Sequence, residues 1–174
     1  MKKILLVAVS AIFISLQSYA GDQYVEFDVG TLSSSNTGSL KIAYGANKDS
    51  IYGFVKGEID ALLIPEREYM TANGKVSLLE YAIRAAYILG FPIANNVFAT
   101  GKLGLTVNHI GIIGASCNAD ADSLDLIYGV GVTYEVNHRI ALNMGWETLG
   151  QFKAIDSIPG SNPSQIFAGI AYSF

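Results

Sequence analysis

The sequence is poor in cysteine, in proline and in positive charge. Its single cysteine, Cys117, has no second cysteine in the chain, so an intramolecular disulfide is excluded. The 11 basic residues are outnumbered by 15 acidic ones. That balance argues against a nucleic-acid-binding protein, which needs a basic surface. Beyond residue 20 there is also no stretch of eighteen apolar residues. Membrane-spanning helices are therefore excluded for that part of the chain.

The only long apolar run lies at the N-terminus and is typical of a signal peptide. Lys2 and Lys3 precede the run from Ile4 to Ile14, and small residues then surround Tyr19 just before Gly21. The alternative is a membrane anchor, but eleven residues are too few to cross roughly 30 Å of hydrocarbon as a helix. We expect residues 1–20 to be a cleaved signal peptide and residues 21–174 to form one domain.

The remaining sequence alternates between apolar and polar residues almost throughout, which indicates β-strands with two different faces. Eight strands are predicted, at 23–30, 39–44, 51–59, 76–89, 97–108, 126–136, 140–148 and 165–174. The third is the least regular, because Tyr52 and Phe54 share a face with Lys56 and Glu58. A β-bulge there would reset the facing.

The lengths of the predicted connections alternate between long and short. They are 31–38, 45–50, 60–75, 90–96, 109–125, 137–139 and 149–164. Turn-forming residues mark two of the short connections, the first with Pro92 and Asn95-Asn96 and the second with Asn137-His138. The last long connection is interrupted by Pro159-Gly160 and Pro163. Transmembrane barrels have short periplasmic turns and long outer loops. The fold class is therefore predicted as all-β, an eight-stranded antiparallel up-and-down transmembrane barrel.

The two faces of the predicted strands differ sharply in charge, and this difference decides which face meets lipid. Ten charged residues share one face: Glu26, Asp28, Lys41, Lys56, Glu58, Glu80, Arg84, Lys102, Glu135 and Glu147. A soluble, lipocalin-like barrel would instead place the bulky apolar face inside, but an eight-stranded barrel has little interior space. We therefore predict a charge network inside the barrel. The outward set includes Leu103, Leu105, Val130, Val132, Leu142 and Ile170.

Aromatic residues lie toward both ends of the predicted outward face. Those near the inner end are Tyr44, Tyr87, Tyr134 and Tyr172, and those near the outer end are Tyr81, Tyr128 and Trp146. Such rings are expected at the two membrane interfaces.

The last fifty residues resemble a known group of proteins. The segment 168–174, with Ile170, Tyr172 and Phe174 at alternate positions, resembles the assembly signal of outer-membrane proteins. The segment 128–134, its short turn and Ile140 to Glu147 resemble the sixth and seventh strands of the small eight-stranded outer-membrane barrels (OmpX/Ail-like, OmpA-like and opacity-type surface antigens). The resemblance implies a Gram-negative outer-membrane location, contact with membrane lipid and recognition by the barrel-assembly machinery. It implies no single activity.

Three constellations are weighed for chemistry. His109, Ser116 and Asp120 form a conceivable catalytic group for a lipid A-modifying enzyme, although no His-x-Ser pattern is present. Asp120, Asp122 and Asp125 resemble a cation-binding cluster but lack the glycine and glutamate of a calcium loop. Cys117 is either a lone reactive thiol or a buried one. None of these is assigned a catalytic, metal-binding or cofactor-binding role.

The leading prediction is a non-enzymatic, monomeric surface barrel, an adhesin, surface antigen or structural membrane protein whose outer loops meet a host or surface ligand. An enzyme and a small-solute channel are the alternatives. The connection 60–75 carries Leu62, Leu63, Ile64, Tyr69 and Met70, more apolar surface than a solvated loop needs. This segment is either a patch that binds a partner or an extension of the strands beyond the membrane.

Overall fold

The computed structural model describes residues 21–33, 37–50, 52–71, 74–114, 118–152 and 161–174. The predicted signal peptide, 1–20, lies outside the described residues, as do Ser116, Cys117 and the Pro159-Gly160 break. No helix within these ranges is long and apolar enough to cross a membrane.

Eight antiparallel strands close on themselves into a barrel. They are β1 (Asp22–Leu32), β2 (Gly38–Ser50), β3 (Gly53–Thr71), β4 (Gly74–Ala94), β5 (Val97–Gly114), β6 (Asn118–Glu135), β7 (Ile140–Thr148) and β8 (Ser164–Ser173). Each strand pairs with its neighbours in sequence, and the predicted up-and-down topology is confirmed.

The first and last strands complete the closure. Nine residue pairs join β1 to β8, from Tyr24 opposite Ser173 to Leu32 opposite Gln165. The backbone N–H of Phe174 extends the contact by donating to the carbonyl of Gln23 at 2.9 Å. Closure satisfies the backbone donors and acceptors of both strands, which water cannot reach within hydrocarbon.

The outer surface of the barrel is a continuous apolar belt. Leu103, Leu105, Val130, Val132, Leu142 and Ile170 are all exposed, which confirms their predicted facing. The seven predicted interface aromatics are exposed as well, and Tyr128 and Trp146 pack edge to face at 6.0 Å. An apolar exterior over a charged interior is the reverse of a soluble barrel. The structure is therefore a transmembrane barrel.

Two of the predicted long loops are mostly strand, and the predicted short connection 45–50 lies entirely within β2, so the sequence-based boundaries were wrong at all three places. Residues 60–75 and 109–125 belong largely to β3, β4, β5 and β6, which run for 18 to 21 residues. Crossing the bilayer needs only about 9–11 residues per tilted strand. Pairing between neighbouring hairpins continues past the membrane, where the period-two pattern weakens because no lipid enforces an apolar face.

The predicted irregularity in the third strand was also wrong. Pairing of β2 with β3 runs without a break from Leu40 opposite Leu63 to Ser50 opposite Gly53. Phe54 lies in the lumen on the same face as Lys56 and Glu58 and is 4% exposed. No bulge resets the facing, because an aromatic ring is accommodated inside the barrel. The shift in β3 lies farther along, between Ile64 and Arg67.

The short inner turns follow from their asparagines. Asn96 adopts a positive φ of 60°, which asparagine tolerates better than most residues, and it reverses the chain between β4 and β5. Between β6 and β7, Asn137 Oδ1 accepts hydrogen bonds from the backbone of Arg139 and Ile140. Pro92, predicted to mark the first of these turns, instead lies within β4 beside a shift in register.

Candidate functional site

The ten charged residues predicted for the lumen lie on the inward face of the strands. Eight of them are buried: Glu26, Asp28, Lys41, Lys56, Glu58, Glu80, Arg84 and Glu147. The Lys102 side chain is 8% exposed, and Glu135 is half-buried at the inner end. Most of the buried groups meet in two connected clusters.

The first cluster surrounds Lys41 on β2. Its Nζ lies 2.8 Å from Glu26 Oε1 and 3.4 Å from Glu58 Oε1, and it also contacts Asp28. Neutral donors bind the second oxygen of two of these carboxylates: Tyr24 donates to Glu58 at 3.0 Å, and Asn143 donates to Glu26 at 2.7 Å. A buried charge needs such pairing because it has lost its water.

The second cluster joins four strands through Arg84 and Lys102. Arg84 donates from Nε to Asp60 and from Nη1 to Glu147 Oε1 at 2.7 Å. Lys102 Nζ lies 3.0 Å from both Glu58 and Glu147 and 3.4 Å from Asp60. Because Glu58 contacts both lysines, the two clusters form one network across the lumen.

Sequence reasoning missed Asp60, which pairs with both cations of the second cluster. The predicted third strand ends at residue 59, and this boundary places Asp60 in an outer loop. A signal was present, because Lys56, Glu58 and Asp60 continue one inward face. Gln165, which donates to Glu147 at 2.6 Å, had no charge to mark it.

An apolar cluster fills the lumen on the outer side of the network. Its buried members are Leu32, Leu62, Ile64, Leu78, Ala82, Ile110, Leu149 and Phe152. Of the two interpretations of the connection 60–75, the extension of the strands is confirmed, and the partner-binding patch is wrong for Leu62 and Ile64, which are buried. They pack inward because β3 continues past the membrane with its inward face unchanged.

The chain after β7 folds inward to cap this cluster. Asn108 Nδ2 donates to the carbonyls of Leu149 and Gln151 at 3.0 and 3.2 Å, and Asp125 accepts from the Gln151 N–H at 2.7 Å. Gly150 has a φ of +76°, and an added Cβ would lie 2.6 Å from Thr106 Cγ2. A glycine is therefore required where the cap turns against the barrel wall.

We expect the barrel not to conduct ions. The ion-pair network and the apolar cap close the lumen in series, and the cavity beside the network has a volume of only about 30 Å³, room for a water or two. Planar-bilayer recordings of the purified protein should show no stable current steps. Reproducible single-channel conductance would contradict this expectation.

A separate polar group lies on the outside of the barrel near its outer end. His109 Nδ1 lies 2.8 Å from Asp122 Oδ1, and the Tyr81 ring stacks on the imidazole at 4.6 Å. The carboxylate that the structure places at His109 is thus Asp122 rather than the predicted Asp120, whose backbone pairs with Gly111. Ser116 lies outside the described residues.

The geometry around His109 bears on catalysis. A Cβ at position 111 would lie 3.7 Å from His109 Nε2, so a serine at this position could reach the imidazole. That position is a glycine. The histidine and carboxylate therefore have no nucleophile at the adjacent position on the same face.

The three aspartates of β6 do not form a single cluster. Asp122 faces outward, whereas Asp125 faces the lumen and binds the cap, because residues three apart in a strand lie on opposite faces. Among the described residues, no group of His, Cys, Asp or Glu side chains is arranged to hold a metal ion.

A closed eight-stranded barrel with an apolar belt, aromatic girdles and a charged, plugged lumen belongs to the class of small transmembrane β-barrels. This fold fits a location in an outer membrane. No protein-family model matches the chain, and no curated protein matches it either.

Solved structures with the same fold support this class. Neisserial surface protein A is 14% identical, with a TM-score of 0.61 over 88% of this chain and 95% of that one. The N-terminal barrel domain of Pseudomonas aeruginosa OprF is 13% identical, with a TM-score of 0.60 over 88% and 98%. Ail of Yersinia pestis, in complex with the heparin analogue sucrose octasulfate, is 13% identical, with a TM-score of 0.55 over 88% and 99%. The predicted small outer-membrane barrel is confirmed as a fold.

Proposed function

We propose that the protein is a non-enzymatic surface barrel whose protruding sheet binds an external partner, as an adhesin does. The observation that carries this proposal is the unequal height of the barrel wall. Strands β3 to β6 have 18 to 21 residues, whereas β7, β8 and β1 have 9 to 11. At about 3.3 Å per residue, this difference of 7 to 12 residues makes the taller strands about 23–40 Å longer.

The two edge strands of the protruding sheet, β3 and β6, differ in how well they are protected against pairing with another strand. On β3, Pro65 lacks an N–H, charged residues follow it, and the pairing with β4 shifts beside it. These features blunt an edge strand. On β6, pairing with β7 begins only at Gly129, so residues 118–127 have no strand partner within the described ranges on the side away from β5. The β6 edge is the one suited to pairing with an extended segment.

The charge of this edge indicates the chemistry of the partner. The segment 118–127 carries Asp120 and Asp122 and no basic residue, and its third aspartate, Asp125, faces the lumen and binds the cap. Asp122 is exposed. A sulfated saccharide, such as the analogue in the Ail complex, would be repelled by this edge. A basic, extended protein segment suits it better.

Shortening the protruding sheet tests the proposal. Replacing residues 66–77 and 112–119 each by a two-residue turn removes the tips, and replacing Asp120 and Asp122 by Asn in the same chain removes the charge of the β6 edge that remains. The membrane-spanning pairs stay in place. We expect bacteria that display the shortened chain to attach to host cells or matrix proteins at least tenfold less than bacteria that display the unaltered chain.

The matched comparison keeps the sheet and changes only its charge. Replacing Asp120 and Asp122 by Asn should reduce attachment severalfold, whereas exchanging Ile140 on the lipid face for Val should leave it unchanged. Surface labelling and the gel mobility of unheated samples establish equal amounts of folded protein. Full attachment by the shortened barrel would disprove the adhesive role and leave a structural one.

The remaining features of the proposal concern export and assembly. Residues 1–20 direct export and are removed, and the barrel-assembly machinery recognises Ile170, Tyr172 and Phe174 on β8. The barrel works as a monomer, a state supported by the closure of β1 on β8, which leaves no unpaired strand edge in the membrane.

A further inference from the structure

The inner end of the barrel contains a polar cavity that the adhesive role does not use. Its volume is about 470 Å³, within the range of small-molecule sites, and it opens where the β2–β3, β4–β5 and β6–β7 turns meet. The Phe54 and Phe98 rings, 5.1 Å apart, line it with Lys56. The cavity is thus a vestibule that ends at the base of the ion-pair network.

Lys56 is the unusual group in this vestibule. It is only 8% exposed, yet among the described residues no carboxylate pairs with its ammonium group. The Nζ atom lies instead 4.6 Å from the centre of the Phe54 ring and 5.1 Å from that of Tyr24. Aromatic faces stabilise a cation less than a carboxylate does. Lys56 is therefore a buried cation that can still take an anionic partner.

A second unsatisfied group lies directly beside Lys56. Asn47 is its cross-strand partner on β2, and the buried Oδ1 of Asn47 accepts no hydrogen bond in the described structure. Asp22 of β1 is in turn the cross-strand partner of Asn47. Residues directly opposite each other share a face, so the three form one inward row across about 10 Å, and all of them line the vestibule.

The charges at the mouth of the vestibule limit which ligands can reach this row. Three acidic residues line the opening: Asp22, Asp49 and Glu135. Arg139, which always carries a positive charge, and His138 line it as well. The net negative charge at the mouth would repel a multiply charged anion before it reached Lys56. It would not repel a zwitterion, whose net charge is zero. The acidic mouth therefore attracts the positive end of a ligand, and Lys56 at the inner end of the cavity attracts its negative end.

We propose that the vestibule binds a small zwitterion with an ammonium group and a carboxylate, such as a short peptide. The ligand carboxylate pairs with Lys56, an N–H group of the ligand donates to Asn47 Oδ1, and its ammonium group lies at Asp22. The row thus binds both charged ends of a peptide-like molecule that enters from the inner side of the membrane.

Three probes of nearly equal size separate these contacts: alanyl-alanine, its C-terminal amide and its N-acetyl derivative. The protein is titrated in uncharged detergent, in a buffer free of carboxylates, phosphate and amines, and amide chemical shifts near Gly53 and Glu135 are followed. We expect saturable binding of the free dipeptide. The amide, which lacks the carboxylate, should bind at least tenfold more weakly, and the N-acetyl form at least threefold more weakly.

Two variants assign the contacts. Lys56→Met keeps the apolar stem and removes an unpaired charge, so it should fold, and it should abolish the preference for the dipeptide over its amide. Asp22→Asn should abolish the preference over the N-acetyl form. Lys48→Met, an exposed lysine of β2 outside the cavity, should retain both preferences. Absence of saturable shifts, or an unchanged preference for the carboxylate in Lys56→Met, would overturn the proposal.

Discussion

Replacing Arg84 by Met is expected to lower the free energy of unfolding by about 3–5 kcal/mol, because it leaves buried carboxylates without their cation. Arg84 is 1% exposed, and its guanidinium binds Asp60 and Glu147 on two sides. Lys102 contacts the same two carboxylates and cannot fully replace the lost charge. Urea unfolding in lipid vesicles measures the change. The single tryptophan, Trp146, reports it by fluorescence.

The matched control is Lys56→Met, which also removes a buried cation from the lumen. Because no described carboxylate pairs with Lys56 and only two ring faces stabilise its charge, its loss should change the free energy of unfolding by no more than about 1–2 kcal/mol. The loss in the free energy of unfolding for Arg84→Lys should lie between those of the other two variants, since a lysine cannot reproduce the forked contacts of a guanidinium. A loss below about 1 kcal/mol for Arg84→Met would show that the network contributes little to stability.

Deleting Phe174 is expected to reduce the amount of folded protein in the outer membrane severalfold. Phe174 is 63% exposed toward lipid at the inner interface, and its backbone N–H joins the last residue of the chain to Gln23 at the start of the barrel. Its loss removes an aromatic interface anchor, the final pairing contact of the closing strand and the terminal residue of the resembled assembly signal.

The comparison for Phe174 is Ile140→Ala, which removes another side chain from the outer surface of the barrel. Cys117→Ser and His109→Ala should leave the yield unchanged. Gel mobility of unheated membrane fractions separates folded from unfolded chains for all four variants. If the Phe174 deletion and the unaltered chain give equal folded yields, Phe174 has no role in assembly.

The sequence by itself determined the strand number, the order of the strands and the facing of most side chains. A strand alternates its side chains strictly, so Leu103 and Leu105 had to face one environment and Lys102 the other. Which environment was lipid also followed from the sequence, because an eight-stranded lumen has room for glycine, alanine and paired charges but not for a full set of bulky apolar groups.

Only the tertiary structure decided which charged groups meet and where the strands end. Asp60 pairs with Arg84, Asp122 takes the place expected for Asp120, and Leu149 with Phe152 turns inward to cap the lumen. The row of Asp22, Asn47 and Lys56 likewise depends on the register of three strands. The reason is physical: alternation is a local property with a period of two residues, whereas register, strand extension and loop packing depend on contacts between residues far apart in the chain.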